Sequence, residues 1–205
     1  VRYQAAPRSD PPPGGRPADY RERPLTLQSL PADQPSVDAS AGEVTSDTGE
    51  LYRNWQKRYG TINTPRTQAA YGFLGGLGRI VLQALTLDVQ TDFATIALSS
   101  LTDEPIAQSA SLLLTAVGRC DNTDARYDEQ HTKQLDFGRP PILIEPIVAA
   151  LELRTSRPNL KVWVISEHGE AVTRLPTTYQ DGVLRFEIGP QPTWNPSTIY
   201  YLLRI

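Results

Sequence analysis

Carboxylate side chains are the residues of this sequence whose chemistry is easiest to state. Paired carboxylates carry out glycoside hydrolysis, one as the acid and the other as base or nucleophile. Glu50, Asp103 and Glu145 are the candidates. Glu145 stands between the apolar runs PPILI and PIVAAL, where a carboxylate requires a cationic partner or protonation. Arg139 or Arg66 would supply that partner, and we favour an ion pair or interface contact over an acid catalyst.

Other catalytic and metal-binding arrangements have little support. The two histidines, His131 and His168, lie in polar segments, and no serine sits on a glycine-flanked elbow. Cys120 is the single cysteine, so an intrachain disulfide and a cysteine-based zinc site are both excluded. The run CDNTDARYDEQH misses the spacing of an EF-hand, and calcium binding in this loop stays an open alternative. We expect no cofactor and no metal.

Aromatic side chains are the remaining chemical signal. Exposed flat rings stack on sugars, and Trp163, Trp194 and Tyr59 are the candidates for carbohydrate binding. The competing interpretation, which we favour, places these rings inside a β-sandwich or at its interface.

The segment YGTINTPRTQAAYGFLGG (59–76) resembles a phosphate-binding loop only in its glycines. A phosphate loop requires backbone amides that converge at a helix N-terminus. Here the glycines lead into the strand-like run IVLQALTLDV. We therefore interpret the segment as a corner of a β-sheet, with Gly60 at a turn position that requires positive φ.

The composition divides the chain into two parts. Residues 1–42 are rich in Pro, Asp, Arg and Gly, and only LTLQSL is apolar. Such a segment buries too little surface to offset its ordering entropy. We interpret it as an extended proline-rich linker or docking arm, with Leu25, Leu27 and Leu30 as its anchoring side chains.

Residues 43–205 alternate short β-type runs with turn signals, which predicts an all-β fold, an antiparallel β-sandwich of jelly-roll-like type. In KVWVIS, Val162 and Val164 share one face of a half-buried strand, and VLRFEI alternates in the same way. EHGE and YQDGV are turns, and the last three elements are expected to form a meander. The predicted strands are 50–55, 61–63, 67–73, 80–89, 93–100, 111–119, 142–154, 161–167, 183–188 and 199–205.

Charge and hydropathy limit the partners. The net charge is −3, from 20 basic and 23 acidic residues of mixed order. No strong field results, so nucleic acid and membrane surfaces are unexpected partners. No apolar run approaches the roughly 20 residues that span a bilayer. Since the chain contains no Met, we expect a processed form or a part of a longer polypeptide.

Four blocks carry a family resemblance: TSDTGELYRNW, TINTPRTQAAYGFLGG, FATIALSSLTDEPIAQSASLLLTAVGRCDNT and FGRPPILIEPIVAALELR. In these blocks, and in their order over residues 43–205, the chain resembles the C-terminal β-sandwich region of large bacterial secreted glycoside-hydrolase-like proteins. This sequence departs from the family pattern at Thr102-Asp103-Glu104, where the family suggests a tight Asp-Gly turn, and at Arg53-Asn54, where it suggests Trp-Asp.

The resemblance implies a secreted or periplasmic accessory domain that supports a carbohydrate-cleaving barrel in the same parent protein. The catalytic carboxylates would then lie in the barrel, and none is carried over to this chain. Arg66 in the TPR corner, with Arg139 and Glu145 in GRPPILIEP, would form the interface. Two alternatives stay open: a carbohydrate-binding module for polysaccharide, and a self-contained glycosidase that uses Glu145 with Glu50 or Asp103.

Overall fold

Alternation of apolar and polar residues builds two antiparallel sheets in this protein. The computed structural model describes residues 39–130, 132–190 and 198–205. A 3-10 turn at Ala39–Ala41 precedes the strands. The strands are β1 Glu43–Thr45, β2 Leu51–Asn54, β3 Tyr59–Asn63, β4 Thr67–Phe73, β5 Arg79–Val81, β6 Leu85–Val89, β7 Phe93–Ser100, β8 Ser111–Val117, β9 Cys120–Thr123, β10 Arg126–Tyr127, β11 Gln134–Asp136, β12 Arg139–Ile144, β13 Ala149–Arg154, β14 Lys161–Ile165, β15 Ala171–Arg174, β16 Thr178–Gln180, β17 Val183–Ile188 and β18 Tyr200–Arg204.

The strands divide between one large sheet, one smaller sheet and two short ladders. The large sheet has nine strands in the order β1-β2-β3-β4-β7-β8-β18-β14-β15. The smaller sheet has five strands in the order β16-β17-β13-β6-β5. β9 pairs with β12 and β10 with β11, both outside the two main sheets. All of these strands belong to the unit Ala41–Ile205.

The core is a layer of aliphatic side chains between the two main sheets. Each strand contributes every second residue, because successive side chains point to opposite faces. Leu112 and Leu114 of β8 are fully buried, as are Leu151 and Leu153 of β13, and they belong to one continuous cluster. The predicted all-β antiparallel sandwich is confirmed, whereas its jelly-roll-like connectivity stays a prediction. No helix in the described part of the chain is long and apolar enough to span a bilayer.

The nine-stranded sheet is much wider than the sheet that faces it. At about 4.8 Å between neighbouring strands, nine strands span roughly 38 Å and five strands roughly 19 Å. On β2 and β3 the core-facing positions accordingly become polar. Tyr52 and Thr61 are directly opposite each other, and Thr61 is opposite the buried Ala70 of β4. The inner face of the large sheet therefore continues beyond the aliphatic core.

Several predicted strands match the structure closely, and two are wrong. The predictions 67–73, 93–100 and 183–188 coincide with β4, β7 and β17. The predicted strand 80–89 is two strands, β5 and β6, with a break at 82–84. The predicted strand 142–154 is also two strands, because β12 pairs with β9 whereas β13 lies in the five-stranded sheet.

The predicted meander of the last three elements is also wrong. β14 and β18 lie in the large sheet, and β17 lies in the small one. The YQDGV turn is confirmed, since Asp181 and Gly182 both have positive φ (53° and 80°) between β16 and β17. This geometry is typical of a two-residue type I′ hairpin.

Gly60 has a different role from the predicted one. It lies within β3, and the positive φ before that strand belongs to Arg58 (55°). A Cβ at position 60 would lie 2.5 Å from the Tyr71 hydroxyl oxygen and 2.8 Å from the backbone oxygen of Tyr52. Gly60 is therefore required by the close approach of the Tyr52 backbone, with the Tyr71 hydroxyl also close.

A buried glutamine connects the two sheets. Gln68 of β4 is buried, and its Oε1 accepts hydrogen bonds from the backbone N–H groups of Ala84 (3.0 Å) and Leu85 (2.9 Å). The same side chain lies near the Thr64 carbonyl, with Nε2 at 3.5 Å. The Gln68 side-chain oxygen therefore accepts the N–H groups that have no strand acceptor at the break between β5 and β6.

We predict that Gln68→Leu lowers the free energy of unfolding by about 2–4 kcal/mol, because it leaves two buried N–H groups without an acceptor. Urea unfolding of the 205-residue chain measures the effect. Gln90→Leu is the matched control, since Gln90 is exposed and its change should stay within about 0.5 kcal/mol. Equal stability of the two variants would show that the Gln68 bridge is energetically neutral.

Candidate functional site

The three candidate carboxylates are not brought together. Asp103 follows β7 next to Arg66, and their side chains lie 3.4 Å apart. Glu145 follows β12 and its backbone packs against Gly118, which follows β8 at the other end of that strand. Since β8 rises about 3.3 Å per residue, roughly 20 Å separates the two ends. Neither retaining nor inverting hydrolysis tolerates that separation.

Glu50 is also remote from Glu145. Its carbonyl accepts the N–H of Asn63 at 2.7 Å, immediately before β2. β2 and β8 are four strand spacings apart in the large sheet, roughly 19 Å. The geometry therefore does not support the pairs Glu145 with Glu50 or Glu145 with Asp103 as a catalytic centre.

The predicted partners of Glu145 are engaged elsewhere. Arg139 Nε lies 3.0 Å from Asp124 Oδ2, and Arg66 Nη2 donates to the Thr102 carbonyl at 2.6 Å. Glu145 itself lies just outside β12 and not within an apolar strand, contrary to the prediction. Its Oε2 atom is buried and has no hydrogen-bond partner among the described residues. Glu145 is therefore a carboxylate held in an apolar setting without the expected cation.

The segment between β8 and β13 forms an exposed ribbon, which we call the apolar ribbon (residues 120–130 and 132–144). Its β9–β12 ladder and its β10–β11 ladder lie outside both main sheets. All six residues of β12 are exposed. The exposed apolar side chains are Leu135 (60%), Phe137 (75%), Ile142 (65%), Leu143 (56%) and Ile144 (48%). Since Leu143 points to the opposite side from its neighbours, both sides of β12 present apolar groups to solvent.

Internal polar contacts hold the shape of the apolar ribbon. Asn122 Nδ2 donates to the Phe137 carbonyl at 2.8 Å, and Thr123 Oγ1 donates to the Pro141 carbonyl at 2.8 Å. The Tyr127 hydroxyl donates to Asp121 at 2.6 Å. Asp128 accepts from both the backbone and the hydroxyl of Thr132. The carboxylates considered for calcium are thus bound to protein donors, and within the described ranges no group of His, Cys, Asp or Glu has a metal-binding arrangement.

Tyr59 lines a groove of about 290 Å³ beside the overhanging strands of the large sheet. Tyr52 lies next to it, with ring centroids 5.6 Å apart and the ring planes tilted by 58°. Lys57, Thr61 and Arg79 add donors around the two rings. This groove combines aromatic faces with hydrogen-bonding groups, a combination that suits a polar ring compound.

Trp163 lies on the outer face of the large sheet and is half-buried. Leu202 of β18 is directly opposite it on one side and Arg174 of β15 on the other. Its ring is therefore only partly accessible to a ligand. Trp194, the arm residues Leu25, Leu27 and Leu30, and His131 lie outside the described residues.

Sequence reasoning missed a polar cluster on the inner face of β1 and β2. The Tyr52 hydroxyl donates to Glu43 Oε2 at 2.6 Å, and Asn54 Nδ2 donates to the same oxygen at 3.1 Å. The hydrogen bond to the Glu43 carboxylate raises the pKa of Tyr52 to about 12. The donors Tyr52 and Asn54 lower the pKa of Glu43. The register of β1 against β2 creates this cluster, and no local sequence pattern indicates that register.

A second tyrosine is shifted in the same direction by a different cause. Burial raises the pKa of Tyr201 to about 12, partly offset by hydrogen bonds with the backbone of Gly189 and Thr198. Tyr201 belongs to the aliphatic core, whereas Tyr52 lies at the edge of the sandwich. Both tyrosines favour the protonated phenol in the folded state.

Comparison of this chain with protein-family models, with curated proteins and with solved structures finds no match. The resemblance to glycoside-hydrolase-like proteins therefore stays a prediction.

We predict that stability falls as the pH rises from 10 to 12. A folded-state pKa near 12, against 10 in the unfolded chain, gives Tyr52 and Tyr201 a contribution that is complete below pH 10 and is lost by pH 12. Glu43 acts in the opposite direction, since its lowered pKa contributes above pH 4.5 and is lost in more acidic solution.

Tyr52→Phe isolates the half-buried member of this pair. Its stability should fall less steeply between pH 10 and 12 than that of the wild type, while the Tyr201 contribution remains. Urea unfolding at stepped pH measures the slope, and the ultraviolet absorbance of tyrosinate reports the titration directly. An unchanged slope in Tyr52→Phe would contradict the assigned role of the Tyr52–Glu43 hydrogen bond.

Proposed function

We propose that this chain is a non-catalytic accessory β-sandwich domain of a secreted glycoside hydrolase, and that it docks to the carbohydrate-cleaving barrel of its parent protein. The apolar ribbon is the observation that carries the docking proposal. Single exposed apolar side chains are ordinary on protein surfaces, but contiguous patches mark interaction sites. Here five such side chains lie within ten residues, 135–144.

The construction of the apolar ribbon supports docking in two further ways. A two-stranded ribbon has little stability of its own in water, and all six residues of its strand β12 are exposed and pair with neither main sheet. β12 also has one edge without a strand partner in the described part of the chain. Pro140 and Pro141 remove two N–H donors from β12, which disfavours uncontrolled pairing with other strands.

The separation of Glu50, Asp103 and Glu145 supports a non-catalytic role for these residues. Catalytic carboxylates in the parent protein would then be contributed by the barrel, as the resemblance implies. Secretion, or location in the periplasm, is part of the same proposal and follows from the resemblance alone.

The first test is an intact-mass measurement on the protein from its native source. We expect a polypeptide longer than 22.7 kDa that contains a barrel, and amide hydrogen exchange at Arg139 and residues 142–144 that is slower in it than in the 205-residue chain. Residues 79–81 of β5 provide an internal reference without an expected change. A free-standing 22.7 kDa species, or equal exchange at Arg139 and residues 142–144, would contradict the proposal.

Leu143→Lys tests the same interface by substitution, with Leu51→Lys as its control. The two leucines are 56% and 52% exposed, so both changes should alter the stability of the 205-residue chain by less than about 0.5 kcal/mol. In the longer polypeptide only Leu143→Lys should lower the melting temperature. The same response of both variants would place docking elsewhere.

A second candidate function, carbohydrate binding, is favoured by the groove around Tyr59. Its aromatic faces and its donor Lys57 match the apolar and polar faces of a sugar ring, and Arg79 also lines the groove, although its Nη2 donates to Glu152 at 2.8 Å. The Tyr52 ring also lines this groove, although its hydroxyl is engaged by Glu43.

Affinity electrophoresis in gels that contain xylan, glucan or agarose tests this function. We expect retardation of the 205-residue chain in one of these gels, lost on Tyr59→Ala and retained in Tyr179→Ala, which removes a tyrosine from another part of the surface. Trp163→Ala distinguishes the groove from the outer sheet face. Absence of retardation in every gel would exclude these polysaccharides as ligands.

A further inference from the structure

A groove outside the Tyr59 site lies at one end of the large sheet. Its volume is about 650 Å³, and it forms where β8 and β14 end and where β15 and β18 begin. The described residues with large apolar side chains that line it are Ile144, Pro146, Val164, Ile165, Val172, Ile199 and Tyr200. The groove is therefore a mainly apolar cleft of the size of a short peptide segment.

Glu145 supplies the acidic group in this groove, and its backbone position is fixed. Its N–H donates to the Arg119 carbonyl at 2.8 Å. A Cβ at position 118 would lie 2.8 Å from the Glu145 carbonyl oxygen and 3.0 Å from Ile147 Cδ1, so glycine is needed at position 118 for this packing. The chain thus holds Glu145 against the end of β8.

The electrostatic balance of the groove is incomplete. Glu145 Oε2 is buried without a hydrogen-bond partner, and no Lys or Arg is among the described residues that line the cleft. Glu167 adds a second carboxylate, and its closest basic group is His168, at 3.8 Å. A buried carboxylate without donors is strongly destabilising, whereas a cationic donor converts it into a charge-assisted hydrogen bond.

We propose that this groove binds an extended segment of a partner protein that presents a lysine or arginine side chain between apolar residues. The cationic group would pair with the Glu145 carboxylate at the wall of the groove, and the flanking apolar side chains would pack against Val164, Val172 and Tyr200. Charge complementarity selects this occupant, because an apolar segment without a cation leaves the carboxylate unsatisfied. The site does not depend on the parent protein being a glycoside hydrolase.

Two peptides that differ in one group test the proposal. Ac-Val-Lys-Val-NH₂ and its norleucine analogue, which lacks the ammonium group, are titrated into the 205-residue chain and followed by NMR chemical shifts. We expect the lysine peptide to bind at least about ten-fold more tightly, the ratio that a hydrogen bond to a charged group provides. Equal affinity of the two peptides, or no binding of either, would overturn the proposal.

Substitutions locate the binding. Glu145→Gln should reduce the lysine preference to within about two-fold, whereas the matched control Glu167→Gln should keep it, because the Glu145 oxygen is the buried one. Val172→Lys places a competing ammonium group at an exposed position of the groove and should weaken binding without affecting folding. A preference that survives both Glu145→Gln and Val172→Lys would contradict the assignment.

Sedimentation without peptide distinguishes the partner from a second copy of this chain. We expect a monomer at all concentrations. Self-association that is lost in Glu145→Gln would assign the groove to a second copy and overturn the partner proposal.

Discussion

The difference in width between the two sheets is a geometric constraint that decides where the aliphatic core ends. Alternating side chains give each sheet one aliphatic face, and the aliphatic layer extends only as far as five strands can cover it. Beyond that cover, the inner face of the nine-stranded sheet carries Tyr52, Asn54 and Thr61 in place of leucine. Tyr52 and Asn54 both donate to Glu43, and Asn54 also donates to the Tyr52 hydroxyl, so the polar groups of β1 and β2 satisfy one another where leucine is absent.

The same constraint explains why the binding surfaces lie at the periphery. The groove around Tyr59 borders β2 and β3, which lie beyond the width of the small sheet. The groove that contains Glu145 lies where four strands of the large sheet begin or end. The apolar ribbon connects β8 of the large sheet to β13 of the small sheet, and its strands pair with neither sheet. Its side chains are not part of the aliphatic layer between the two sheets. Because such a connection does not contribute to the core, its side chains can serve to bind an external partner, as loops on a rigid β-sandwich commonly do.

The sequence allowed prediction of the fold class and of the most regular strands, because period-two alternation is a local property. It failed at 80–89 and 142–154, where an uninterrupted apolar run conceals a break. The first break depends on Gln68, which lies in the other sheet, 16 and 17 residues before Ala84 and Leu85. At the second break the chain leaves the β9–β12 ladder and enters the five-stranded sheet. Glu145 was recognisable because a carboxylate among apolar residues is conspicuous. Its missing cation and the Tyr52–Glu43 contact depend on strand register, which local patterns do not encode.

The position of β18 links the architecture to the order of synthesis. Residues 200–204 are inserted between β8 and β14, as the seventh of the nine strands. The earlier strands β1–β4, β7 and β8 can form a continuous array as they emerge, but β14 and β15 have no attachment to it until β18 arrives. Completion of the large sheet is therefore a late, non-local event with a large loop-closure cost, and nascent chains carry two open strand edges until then.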